Sequence, residues 1–242
     1  SEQWQCMAVD STVEAVNTAV ANNIKHLREN VGKNVQGVIY NDVTHDFEGV
    51  LSTKQGFKTE TEVIPVNLFP IWVASHTAGA YINESLTSFV IPGAVEIINP
   101  INENDIADEL QKGWFLLSYR QDRKVIVEQD INTLVTLTPD KGYEYTKNRV
   151  IRCADEIGNQ VKLIFTRSYN GKVDNDPVGR NLYKSELINM LENLQGINAV
   201  TNVDGPSDVT VLPGEAIDAV VAEIAVQFVD SMEKLYMVVE SE

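Results

Sequence analysis

Histidine and cysteine are scarce in this chain, and their scarcity narrows its chemistry first. Among 242 residues there are three histidines and two cysteines. Cys6 and Cys153 stand far apart in apolar settings, so two buried free thiols in a reducing compartment are expected, not a disulfide framework. No apolar run approaches the roughly 18–20 residues of a membrane span, and no basic-then-apolar signal segment opens the chain. Bases are also in short supply: 19 Lys and Arg stand against 35 Asp and Glu, a net charge of −16. A nucleic-acid surface must neutralise phosphates, so this balance argues against nucleic acid as a partner. Walker-type loops, a G-x-G-x-x-G after a strand and a G-x-S-x-G elbow are missing too.

The few candidates for chemistry read as structural. His26 falls on the polar side of a helix and is expected in solvent. His45 lies in Asn41-Asp-Val-Thr-His-Asp46-Phe-Glu48, the one cluster that joins acids to an imidazole. Asp42, Asp46 and Glu48 beside it do not have the spacing of a metal-ligand set. His76 sits among small helix residues, as a packed or interface histidine does. Asp174-Asn-Asp176 begins like a calcium loop, but Pro177 and the missing distal Glu break the pattern. A Ser–His–Asp site is defined by geometry rather than spacing, so an α/β hydrolase stays open as an alternative that nothing here favours. No catalytic, cofactor-binding or metal residue is assigned.

What is present is a two-part pattern. The length allows one large domain or two modest ones. Trp4 to Val9 reads as the inside of a strand, and the first residue is not Met, so the chain is read as a fragment lacking its N-terminal part. Ser11 to Glu14 has the form of a capping box. Val13, Val16, Val20, Ile24, Leu27 and Val31 then mark an amphipathic helix closed by Gly32. Val35 to Tyr40 follows as a strand, which makes a βαβ unit with parallel strands. A short strand is expected near Gly49–Leu51, and a helix over Phe69–Ile82 with Pro70 in its first turn. Asn104 is placed as the cap of a helix from Asp105 to Lys112. Trp114–Tyr119 and Lys124–Glu128 form a hairpin.

Thr133 to Gly142, with Pro139, Asp140 and Gly142, is the boundary candidate. The expected architecture is an α/β core domain over 1–138, a mixed sheet flanked by helices, then a smaller α+β C-terminal domain over 139–242. Two helices are expected in the second domain, one from Val150 to Phe165 and one from Leu182 to Gly196. Charge is uneven there. Residues 147–184 hold Lys147, Arg149, Arg152, Lys162, Arg167, Lys172, Arg180 and Lys184 against four acids, whereas residues 201–242 hold nine acids against Lys234 alone. The basic stretch is either a set of solvated helix faces or a docking surface for an acidic partner.

The end of the chain alternates. Val220, Ala222, Ile224, Val226 and Phe228 fall on one face at period two, with Glu223 and Gln227 on the other. Asp230-Ser231 interrupts, and a second strand is expected over Lys234–Val239. Such an end is either tucked into its own sheet or an arm that adds a strand to a neighbour.

Ala78-Gly-Ala80 followed by Asn83 to Thr87 and Pro92-Gly-Ala resembles the middle of contractile tail sheath proteins of bacteriophages and prophages. So do Val127 to Thr138, the helix opening Asn148 to Arg152, Tyr169 to Val173, Asp208 to Val211 and the ending Val229 to Val239. The resemblance implies a core given a subtilisin-like label and a tube-facing C-terminal domain. It also implies a missing N-terminal arm and domain. Subunits of that family stack as hexameric rings around a tail tube, joined by terminal arms that complete a small sheet in a neighbour, and they contract to drive the tube through an envelope. By this likeness residues 232–242 are the C-terminal arm, with Leu235, Tyr236, Met237, Val238 and Val239 as the linking strand. Arg180 and Lys184 become the tube-facing candidates. Partners would be neighbouring sheath subunits, the tube, and the baseplate and terminator at the ends, with no nucleic acid, cofactor or membrane insertion. The alternatives are a ring-forming or adaptor tail component without chemistry, and the hydrolase.

Overall fold

Residues 5–238 are described by a computed structural model. The expected βαβ unit is present as β1 (Cys6–Ala8), α1 (Glu14–His26) and β2 (Gln36–Tyr40). β1 pairs parallel with β2, placing Cys6 opposite Gln36, and β2 pairs parallel with β3 (Val50–Thr53). The face that α1 buries is Asn17, Val20, Ala21 and Ile24, one stripe at steps of three and four. Val13, Val16 and Val31, expected on that stripe, are exposed. The capping box does not form, because Val13 stands at the N-cap and Ser11 Oγ only accepts from Val13 N at 3.1 Å. Asn17 does the joining instead: its Nδ2 donates to Ser11 O and Val13 O, and its Oδ1 accepts from Tyr40 N at 2.9 Å. α1 lies so close on β2 that a Cβ at Gly37 would stand 2.6 Å from Ile24 Cγ1.

The next strands leave that sheet. β4 (Gly56–Thr59) pairs antiparallel with β5 (Val63–Ile64) and, beyond α2 (Phe69–Gly79), with β6 (Ala94–Ile98). α3 (Ile106–Gln111) leads to the expected hairpin, β7 (Leu117–Tyr119) and β8 (Val125–Val127), with Leu117 opposite Val127. A 3-10 turn over Glu103–Asp105 precedes α3, and no side chain caps it, so the capping role expected of Asn104 is not filled. Among the described residues there are, in place of one mixed sheet, two three-stranded sheets and a hairpin, with the bridge Ser52 to Trp114 linking β3 toward the hairpin. Gln55 explains the break. Fully buried, it accepts from Leu117 N at 2.6 Å and donates to Leu117 O at 3.2 Å, so a side-chain amide stands in for a ladder pair. Val38, Leu51, Phe57, Phe69, Val73, Phe115, Leu117 and Val127 close into one core between these elements.

The second half begins with a 3-10 turn, Tyr143–Thr146, then α4 (Asn148–Ile164) and α5 (Pro177–Gly196). Asp176 caps α5 by accepting from Gly179 N at 2.7 Å, with Pro177 in the first turn, so this helix starts a full turn before the leucine pattern announces it. β9 (Val200–Thr201), α6 (Gly205–Asp208), β10 (Val209–Pro213), β11 (Val220–Ile224) and β12 (Gln227–Phe228) follow. β10 pairs with β11 and β9 with β12, both antiparallel. These two small sheets cover a second core of Cys153, Ile157, Tyr183, Leu187, Leu191 and Val200. Arg28 straps the halves together, donating to both carboxylate oxygens of Asp155 at 2.6 and 2.8 Å.

Candidate assembly interface

The terminal segment divides at a specific place. Val220, Ala222, Ile224, Val226 and Phe228 all pack against the second core, and the residues between them face solvent, as the alternation predicts. Val229 N makes the last backbone bond of this stretch, to Ala199 O at 3.1 Å. Past it no regular structure continues through residue 238. Among the described residues the strand expected over Lys234–Val239 is therefore not formed through Val238: an extended segment needs an edge to satisfy its N–H and C=O groups, and no described strand pairs with it. Leu235 is 85% exposed, Tyr236 90%, and Met237 and Val238 are likewise in solvent. Val239 lies outside the described residues.

Between the packed part and the exposed part stands Glu233. Its carboxylate pairs with Lys147 Nζ and accepts from Thr87 Oγ1 at 2.7 Å. The Lys147 and Glu233 side chains keep 3% and 6% of their surface. Burial disfavours the Lys147 ammonium, but the Glu233 carboxylate outweighs it and holds the amine above its usual range. Lys234 then lies over the Tyr143 ring, 5.4 Å from its centroid. Glu233, which falls within the stretch 232–242 expected as the arm, is thus packed onto the folded body. Nothing in the sequence joins Glu233 to Lys147, Thr87 and Tyr143: Lys147 counts there as one base of the basic stretch and Glu233 as one more acid of an acidic tail.

The basic stretch lies partly on the surface, with Lys162, Arg167 and Lys172 exposed. Most of its bases are turned onto the protein's own oxygens. Arg149 donates to Asn198 O, Arg152 to Glu84 O and Asp130, and Lys162 to Gly32 O. Arg180 donates to Asn175 O at 3.0 Å and Asn175 Oδ1 at 2.9 Å, and Lys184 to Pro206 O at 2.9 Å. The two tube-facing candidates thus share one side of α5, partly exposed, with their charged ends tied to adjoining loops.

The other polar candidates are engaged in structure. Asp42 accepts from Thr44 N and Oγ1 and lies 3.1 Å from His45 Nε2. Asp46 accepts from Val135 N at 2.7 Å and Thr136 N at 2.9 Å, and Glu48 from Lys141 Nζ at 2.7 Å. Among the described residues no group of three or more His, Cys, Asp or Glu is arranged to hold a metal ion. His76 is stacked on Trp72 with centroids 3.7 Å apart, its Nδ1 2.9 Å from Trp72 O, and His26 is exposed. Cys153 is buried and Cys6 partly buried, both unpaired, and burial pushes their thiols up to about 11 and about 12. Among the described residues no helix is long and apolar enough to cross a membrane.

Comparison with known proteins identifies the family. Residues 1–133 match the phage tail sheath protein central domain, and residues 140–242 match the phage tail sheath C-terminal domain. The chain belongs to the phage tail sheath family. It is 35% identical to protein XkdK of the PBSX phage-like element of Bacillus subtilis, over 90% of this chain and 48% of that protein. It is 26% identical to the tail sheath protein of Clostridium phage phiCD119 over 72% of the chain and 48% of that protein. The crystal structure of a sheath tail protein from Desulfitobacterium hafniense superposes with a TM-score of 0.87 at 40% identity, covering 97% of this chain and 55% of that one. The contracted helical sheath of the anti-feeding prophage shares the fold, with a TM-score of 0.72 at 12% identity over 96% of this chain and 68% of that one. The chain spans about half the length of the curated relatives it matches.

Proposed function

We propose that this chain is part of a structural subunit of a contractile tail sheath, whose copies polymerise as stacked hexameric rings around a tail tube and contract to drive it through a target envelope. The observation that carries the reading is the exposed apolar run Leu235–Val238 leaving the body immediately after the buried Glu233. Leu235, Tyr236, Met237, Val238 and Val239 add a strand to a neighbour's C-terminal domain, where β10–β11 and β9–β12 are two-stranded sheets, marginal alone and completed by further strands. Ladder bonds of this kind survive rigid-body rotation of subunits while side-chain contacts are exchanged. The core spans residues 1–138 and the tube-facing domain begins near 139. Arg180 and Lys184 face the tube; baseplate and terminator bind the ends, and assembly takes place in the host bacterial cytoplasm. The role is mechanical, with no catalytic step.

Electron microscopy of the full-length protein tests the reading. Hollow cylinders are the expected result, and removal of residues from Leu235 onward should abolish them. Discrete rings or dispersed monomers from the intact protein would sink it.

A further inference from the structure

Resting on that arm reading, we infer that the turn Tyr143–Lys147 is a clamp that fixes where and in which direction the terminal arm leaves the subunit, with Glu233 as its positioning residue. Three side chains of the turn grip three points of the departing chain. Tyr145 meets Phe228 edge-on with centroids 6.3 Å apart, Lys147 pairs with Glu233, and Tyr143 lies between Lys147 and Lys234, at 5.5 and 5.4 Å. Met232 stands fully exposed between these grips, so the chain is pinned on both sides of a residue that contributes nothing to the body.

The clamp also reaches the first half of the molecule. Thr87 Oγ1, which donates to Glu233, accepts from Asp130 N at 2.9 Å. The buried Asp130 carboxylate in turn accepts from Leu86 N, Asn148 Nδ2 and Arg152 Nη2, each at 3.0 Å. A pull on Leu235 is therefore passed through Glu233 into a buried network that joins both halves. It bypasses β11 and β12, whose two-stranded sheets would be peeled by the same pull.

The test compares Glu233→Gln, Thr87→Val and a chain ending at Lys234. Its readouts are acylation of Lys147 Nζ, followed by mass spectrometry on the 242-residue chain, and cylinder formation by the full-length protein. In the clamped state the ammonium is out of reach of reagent. Glu233→Gln should raise Lys147 labelling at least tenfold and shorten or abolish cylinders. Thr87→Val, which keeps the ion pair and its charge, should raise labelling a few-fold with shorter cylinders. The chain ending at Lys234 should keep Lys147 protected and form none. Unchanged labelling in both point variants overturns the clamp. Raised labelling with normal cylinders overturns the positioning role. Normal cylinders without residues from Leu235 onward defeat the arm reading itself, a result separable from the others because labelling is read on the unassembled chain.

Discussion

Glu233 and Lys147, 86 residues apart in sequence, form an ion pair with almost no exposed surface at the point where the chain leaves its domain. Breaking a buried pair by removing one partner costs about 3–5 kcal/mol, because the other charge stays uncompensated. Here the penalty is capped, since release of the short root lets Lys147 regain water. Glu233→Gln should therefore cost about 1–3 kcal/mol. The joint replacement K147M/E233M should bring stability back to within about 1.5 kcal/mol of the parent, since a buried pair is replaceable by apolar groups of similar volume. Denaturant unfolding of the three chains checks both; equal destabilisation by the single and the double change would contradict this account.

The same pair has an alkaline limit. The Lys147 amine is held above its usual range by Glu233, against the pull of burial. A raised pKa contributes stability that is fully present below the unfolded lysine value of about 10.4 and is lost as pH rises through the folded value. The stability gap between the parent and Glu233→Gln should be constant from neutral pH to about pH 10 and close above it. A gap that closes near neutrality would rule out the lysine as its origin.

Cutting the chain after Lys234 should be nearly silent for the fold. Leu235, Tyr236 and Met237 are exposed and make no packing contact with either core. The thermal midpoint should move by no more than about 1 °C, whereas a cut before Met232 removes Glu233 and should lower it clearly. Unfolding curves of the two truncated chains decide the matter.

How much of this was legible in the sequence follows from what each signal depends on. Period-two alternation from Val220 to Phe228 was read correctly, residue by residue, because it reports a core the segment itself packs on. The parallel βαβ unit and the β7–β8 hairpin were legible for the same local reason. Lys234–Val239 carries a strand pattern too, but an extended segment without an edge cannot form a ladder, so the pattern overstated what one chain does alone. Glu233 was invisible because its partners, Thr87 and Lys147, are far away in sequence. The internal bonds of the basic stretch were hidden for a related reason: charge counts say nothing about the carbonyls of Asn198, Gly32, Asn175 and Pro206 that receive those bases.

Asp46 shows an acidic counterpart. Burial works to raise its carboxyl, but hydrogen bonds from Thr136 and Val135 outweigh that and hold it below the usual range. A depressed carboxyl contributes stability that is present above the unfolded value of about 3.9 and lost as pH falls through the folded one. Asp46 holds a left-handed backbone with φ 45°, which Asn tolerates and Ala does not, so Asp46→Asn isolates the charge: it should cost about 1 kcal/mol at neutral pH, with the difference from the parent shrinking under strongly acidic conditions. An acid titration of the two unfolding free energies measures it; a difference that persists unchanged at low pH would point to packing.

Arg180 and Lys184 carry the tube-facing proposal, and their internal bonds set how it must be tested. Both charges are tied to carbonyls, of Asn175 and Pro206, so reversing them disturbs α5 as well as any partner. Neutral replacements separate the effects. R180Q/K184Q should lower the thermal midpoint by only a few degrees, since the three bonds lost are at or near the surface and together are worth about 1–2 kcal/mol. If these side chains meet an acidic tube surface, R180E/K184E should weaken tube binding at least tenfold further, and raised salt should weaken the parent toward the level of R180Q/K184Q. Co-sedimentation of full-length sheath with preformed tubes reads both effects. Binding equal in all three proteins, at stability within the small expected change, would remove these two residues from the interface and leave the helix a purely internal brace.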